Sequence, residues 1–197
     1  MSGRVTIVIA AILCITAMTL LYSSASEKET GTPADKRIAR GKQLVIEGNC
    51  DYCHTPLVET NEGLVPDMKR RLSGHPRDAE IPRLPANEIG SPEWIEFLGT
   101  LDTTEWAGPW GLVFAKNITP DPETGIGKWT EEIFVETIRT GRHIDLKRDV
   151  LPPMPRQDYG KLGDEDLKSI FAYLMTVAPV RNAVPKPVPL PGKKSGE

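Results

Sequence analysis

"NCDYCHTP", residues 49–56, sets two cysteines three positions apart with a histidine directly after the second. On one helical turn, positions i and i+3 share a face. Cys50 and Cys53 can therefore reach one edge of a single partner, and His54 stands one residue further on. Three ordinary readings compete for such a pair. A structural disulfide leaves the histidine without a role. A thioredoxin-like dithiol wants a strand–helix–strand context, and none is legible around residue 50. Zinc needs four ligands, and after Cys50 and Cys53 the chain offers only His54, His75, His143 and carboxylates.

The cysteine inventory sharpens the choice. There are three cysteines in 197 residues, and Cys14 lies inside the charge-free run "VTIVIAAILCITAMTLLY", residues 5–22. That run is at the short limit for a membrane-spanning helix and long for a signal-peptide core. The small residues Ser23, Ala25 and Ser26 follow it, so a cleaved signal and an uncleaved anchor both stay open. Leu13 is too bulky for the position before a lipid-modified cysteine. Either way the remaining chain is expected outside the cytoplasm, on the periplasmic side of a bacterial inner membrane. Only Cys50 and Cys53 are left there, in the C-x-x-C-H pattern that attaches c-type haem. Each thiol adds across one vinyl group of the porphyrin, and His54 follows as the proximal iron ligand. One covalent haem c is the expected cofactor.

The iron then needs a sixth ligand or an open position. Met68, Met154, Met175, His75 and His143 are the candidates. Met154 lies in "LPPMPRQDY", residues 151–159, where prolines restrict the backbone on both sides. A rigid loop loses little entropy when a sulfur is held at a metal, so Met154 is the expected partner of His54. Met68 sits in a charged stretch, Met175 at a helix margin, and His75 in the turn-like "SGHP". His143, just past a helix end, keeps a bis-histidine site open.

A formal net charge of −3 with 39% apolar residues suits one ordinary globular domain and neither a disordered nor a fibrous chain. The mild acidity argues against a nucleic-acid partner. Along the chain, residues 1–26 read as signal or anchor, 27–35 as a polar linker, 36–178 as the domain and 179–197 as a Pro-rich, extended tail. Helices are expected over "DKRIARGKQLVIEGN" (35–49) running into Cys50, over "TEEIFVETIRT" (130–140) between an N-cap at Thr130 and Gly141, and from Asp164 to a stop at Pro179. Residues 55–128, rich in Pro and Gly, read as loops and short turns. Ile38, Val45, Phe134, Ile138, Phe171 and Leu174 are the expected apolar shell.

These pieces together resemble a class I cytochrome c. A helix precedes the attachment motif, Gly41 and Tyr173 stand where the family's first and last helices cross, and Met154, Tyr159, Leu162 and residues 164–167 match the run before the last helix. More narrowly, "NITPDPETGIGKWTEEIFVETIRTG" (117–141) is similar to a segment in the cytochrome subunits of alcohol and gluconate dehydrogenases. The resemblance implies a mainly α fold of about 3–5 helices around one haem, with an extended loop insertion, since 100 residues separate His54 from Met154. It implies Trp129 against the haem with its indole N–H towards a propionate. It implies a non-catalytic electron carrier between membrane-associated redox proteins. A subunit of a dehydrogenase or oxidase complex, and an open-site haem sensor or peroxidase, are the alternatives. The excess residues, 56–115, are either scaffold or a partner surface built from Trp106 and Trp110. Replacing Cys50 and Cys53 together by alanine should abolish haem-associated peroxidase staining on a denaturing gel. Staining that survives the double substitution would rule out thioether attachment here.

Overall fold

Six α-helices, three two-stranded antiparallel ribbons and one 3-10 turn make up the described residues, 31–143 and 148–192, of the computed structural model. The 5–22 run and Cys14 lie outside them, and among the described residues no helix is long and apolar enough to cross a membrane. The architecture is mixed and mainly helical, and the described residues from Lys36 onward belong to one compact unit.

Helix α1, Pro33–Glu47, begins inside the stretch read as linker. Thr32 and Asp35 cap it reciprocally: the Asp35 N–H donates to Thr32 Oγ1 at 3.2 Å and the Thr32 N–H to the Asp35 carboxylate at 2.9 Å. Pro33 suits the first turn, where its missing N–H costs nothing. The helix does not run into Cys50 as expected. Asn49 takes a left-handed conformation, φ 53° and ψ 37°, and a separate turn, α2, spans Cys50–His54. Asparagine tolerates that region better than most residues.

The other two expected helices are present. α4, Glu131–Thr140, starts on the Thr130 hydroxyl, which accepts the Ile133 N–H, and ends at Gly141 with φ 67°. α6, Asp164–Leu174, starts at Gly163. It stops short of Pro179, because the Thr176 N–H and hydroxyl both donate to the Tyr173 carbonyl, at 2.8 and 2.7 Å. α5, Arg156–Tyr159, is a single turn after the prolines. α1 and α6 cross in close contact: a Cβ added to Gly41 would stand 1.8 Å from the Ser169 carbonyl oxygen and 2.8 Å from the Tyr173 Cβ. Val45, Leu167, Ile170 and Leu174 pack with Phe134 of α4 and Leu72 into the first core cluster.

Residues 55–128 are more ordered than their Pro and Gly content suggested. They hold the hairpin β1–β2 (Leu57–Thr60, Gly63–Pro66), helix α3 (Pro92–Leu98) and the hairpin β3–β4 (Glu105–Gly108, Gly111–Phe114). Four-residue strands are too short to show a period, although Ser91-Pro92 carries a helix-start signal. Their own core joins Leu84, Trp94, Phe97, Leu112 and Phe114 to Val184, Val188 and Leu190 of the tail. The tail is extended, as expected, but built in: Leu112 and Val188 exchange two backbone hydrogen bonds of 2.8 Å. A third ribbon, β5–β6, pairs Arg142–His143 with Arg148–Asp149.

Gly41→Ala must push α1 and α6 apart. Overpacking of this kind costs about 3 kcal/mol, measurable as a lower urea midpoint at unchanged slope.

Candidate haem-attachment site

The α2 turn carries both cysteines as free, half-buried thiols. Burial is the main cause that pushes the Cys50 thiol up to about 11, with the Asp51 charge adding to it, and burial also raises Cys53. Both groups are therefore thiols and not thiolates at neutral pH, unlike the low-pKa cysteine of a redox dithiol. Among the described residues no three His, Cys, Asp or Glu side chains come together as a zinc site would need.

His54 is aimed by a hydrogen bond. Its Nδ1 lies 2.7 Å from the Lys116 carbonyl oxygen. A carbonyl can only accept, so Nδ1 carries the proton and Nε2 keeps its lone pair for a metal. Desolvation by burial lowers the ring's pKa, against the opposing pull of the Lys116 carbonyl and Asp51. The imidazole is thus the neutral form that ligation requires.

Residues 71–75 and 115–118 put that carbonyl in place. The Gly74 N–H donates to the His54 carbonyl at 2.7 Å, the His75 N–H to Ala115 at 3.0 Å and the Ile118 N–H to Leu72 at 3.0 Å. Gly74 has φ 76°, and a Cβ there would lie 2.3 Å from the Ala115 oxygen, so only glycine fits. Buried Thr55 links this segment to the motif: its hydroxyl accepts the Leu72 N–H at 3.0 Å and donates to Asp51 at 2.8 Å. Arg71 forks onto both Asp51 oxygens at 2.8 and 2.6 Å and donates to the Tyr173 hydroxyl at 2.7 Å. One guanidinium therefore ties the motif turn to α6 at the helix crossing. From the tail side, Lys116 Nζ donates to the Pro185 carbonyl at 3.1 Å.

The other expected site residues are placed as follows. Trp129 packs on the first core cluster, as Cys50 does, and meets the His143 ring edge-on at 6.1 Å between centroids. The six residues of the expected apolar shell all belong to that cluster or pack against it. The Met154 loop runs between two fixed points. Val150 N–H donates to the Gly141 carbonyl at 2.8 Å, and the Tyr159 hydroxyl donates to Gly48, two residues before Cys50, at 2.5 Å. Met154 itself is half-buried and lines a cavity of about 240 Å³ whose walls come from residues 150–158 and do not include His54. Thr55, Arg71, Leu72 and Lys116 were not legible as site residues, because their parts are played by backbone groups and long-range contacts. Gly74 alone carried a signal, in "SGHP". Two thiols on one turn beside an imidazole with a free Nε2 are a donor set that a haem fits.

No family model matches the chain. Curated relatives do. The chain is 31% identical over 148 residues to a subunit of the nicotinate dehydrogenase of Pseudomonas putida, a match covering 75% of this chain and 9% of that protein. It is 39% identical over 74 residues to the cytochrome c subunit of the quinone alcohol dehydrogenase of Gluconobacter oxydans, covering 36% and 15%. It is 29% identical over 174 residues to the gluconate 2-dehydrogenase cytochrome c subunit of Pantoea cypripedii, covering 87% and 30%. The chain is similar to cytochrome c subunits of dehydrogenases. It spans between 9% and 30% of the length of these relatives.

Thr55→Val should destabilise the fold by about 1–3 kcal/mol, since it leaves the buried Leu72 N–H without an acceptor. Thr55→Ser should restore most of that loss in a chemical denaturation curve.

Proposed function

We propose that this chain is an electron-transfer cytochrome subunit that serves a dehydrogenase and is not itself catalytic. In this reading one haem c is bound through Cys50 and Cys53 and ligated by His54 and Met154. The bound group supplies a one-electron Fe(III)/Fe(II) couple, and a thioether ligand favours Fe(II). The observation that carries the reading is the 2.7 Å contact of His54 Nδ1 with the Lys116 carbonyl. It selects the tautomer and orientation of a metal-binding histidine directly beside two thiols on one helical turn.

The chain's own residues then have separable tasks. Cys50 and Cys53 hold the group against loss. The Lys116 carbonyl stops the His54 ring from turning and leaves its Nε2 free, while burial keeps the ring neutral. The prolines around Met154 limit the conformations from which its sulfur must be drawn. The apolar cluster of Val45, Phe134, Phe171 and Leu174 keeps water out, which disfavours extra charge and so favours the reduced state. Trp129, which packs against that cluster, would lie against the haem and offer its indole N–H to a propionate. Residues 1–26 would carry the chain to the periplasmic side of the membrane, as a cleaved signal or as an anchor, where it would meet its redox protein partners. The similarity to dehydrogenase cytochrome subunits supports a place in such a complex over a free shuttle.

Met154→Ala provides the test. The oxidised wild-type protein should show the weak far-red band of sulfur-ligated ferric haem, and the variant should lack it, bind carbon monoxide readily and have a lower reduction potential. A wild type that lacks the band and binds carbon monoxide at once would replace this reading with the open-site sensor or peroxidase.

A further inference from the structure

The insertion at 56–115 does more than seat His54. Beside Cys53 it leaves a groove of about 640 Å³. Leu57 and Leu64 of the β1–β2 hairpin form one wall, the turn 98–103 after α3 another, and Trp106 of β3 and Tyr52 of the motif itself complete it. Three large apolar side chains on this groove are open to solvent, Leu64 at 68%, Tyr52 at 52% and Leu98 at 45% exposure. Scattered exposed leucines need no explanation, but a contiguous group marks a contact surface. The groove meets the motif turn at Tyr52. Trp106 donates its indole N–H to the Thr103 carbonyl at 3.2 Å, and its side chain is near enough to the Cys53 thiol to oppose the rise in pKa that burial causes there.

Charge says what fits there. The chain as a whole is nearly balanced, with 27 acidic and 24 basic residues. The segments that build the groove are not. Residues 57–66 and 92–108 carry Glu59, Glu62, Glu93, Glu96, Asp102 and Glu105 and no lysine or arginine. Glu105 lines the groove at 7% exposure, and its Oε2 has no hydrogen-bond partner among the described residues. That oxygen is shielded from solvent, so the exposed Glu59, Glu62, Glu93 and Glu96 are the charges that a partner's cations would meet. A second copy of this chain would bring an equally acidic groove, so like charges disfavour self-docking.

We infer that this groove is the docking site for a one-electron redox protein presenting an apolar tip ringed by lysine or arginine, with the electron crossing at Trp106 and Cys53. The inference rests on the proposed haem attachment. One electron crosses per encounter. When the partner is the acceptor its centre is reduced by one electron as Fe(II) becomes Fe(III), and no bond or proton is exchanged.

The test uses the full-length haem-loaded protein and two small oxidants, tris(phenanthroline)cobalt(III), a cation with apolar faces, and ferricyanide, an anion. Stopped-flow oxidation by the cobalt complex should be fast at low salt and slow by roughly tenfold at high salt, the scale of electrostatic steering. Glu59→Gln with Glu96→Gln, and separately Leu64→Ser with Leu98→Ser, should each slow it several-fold at low salt. All four side chains are exposed, so folding should be unaffected, and the spectrum and the reduction potential should not change. Ferricyanide should not be slowed by either pair. Unaltered cobalt rates in both pairs, in a preparation with a normal haem spectrum, overturn the docking site alone. So does sedimentation as a dimer that Leu64→Ser with Leu98→Ser dissociates, which would make the occupant a second copy. A colourless full-length preparation overturns the proposed function and this inference with it.

Discussion

The hydrogen bond from His54 Nδ1 to the Lys116 carbonyl is the constraint around which this domain is organised. An imidazole can place its proton on either nitrogen and can rotate about its last torsion. A backbone carbonyl at 2.7 Å removes both freedoms at once, since it accepts and cannot donate. That carbonyl comes from 62 residues further along the chain, so its position is a property of the whole insertion. The ladder between 72–75 and 115–118 sets it, the Gly74 conformation lets the two strands of chain approach, and Thr55 and Asp51 bind that ladder back to the motif turn.

The rest of the architecture supports this arrangement from two sides. On one side, the first core cluster brings α1, α4 and α6 together, and Arg71 joins the motif turn to α6 through Asp51 and Tyr173. On the other, the insertion builds a second core that is too small to close alone. The tail completes it with Val184, Val188 and Leu190. Buried Asn182 does the same in polar terms, since its amide donates to the Ser73 and His75 carbonyls at 2.7 and 2.9 Å and accepts the Arg77 N–H at 2.9 Å. A Pro-rich segment suits this task. It is extended beforehand and needs few backbone donors of its own.

Much of the frame was legible from local chemistry. The cap at Thr130, the glycine at 141 and the acidic first turn of α6 each follow from short-range rules, the close crossing at Gly41 was implied by the resemblance, and each is present. The misses also have local causes. The break at Asn49 depends on a single left-handed residue. The end of α6 depends on the Thr176 hydroxyl competing for a carbonyl. The hairpins of the insertion have four-residue strands whose partners are each other and the tail, so neither periodicity nor composition could reveal them.

The amino-acid order by itself determined which atoms can do chemistry. Two thiols and an imidazole within five consecutive residues are a covalent fact that no folding alters, and the spacing of apolar residues on α1, α4 and α6 determined which faces these helices bury. Only the tertiary structure decided which nitrogen of His54 is free, which carbonyl holds the other, and that Arg71, Thr55 and the tail belong to the site. The reason is physical. Helix caps and faces are set by neighbours within four residues, whereas the groups that orient His54 are backbone oxygens and side chains tens of residues away. Their identity is settled only when the loops between them close.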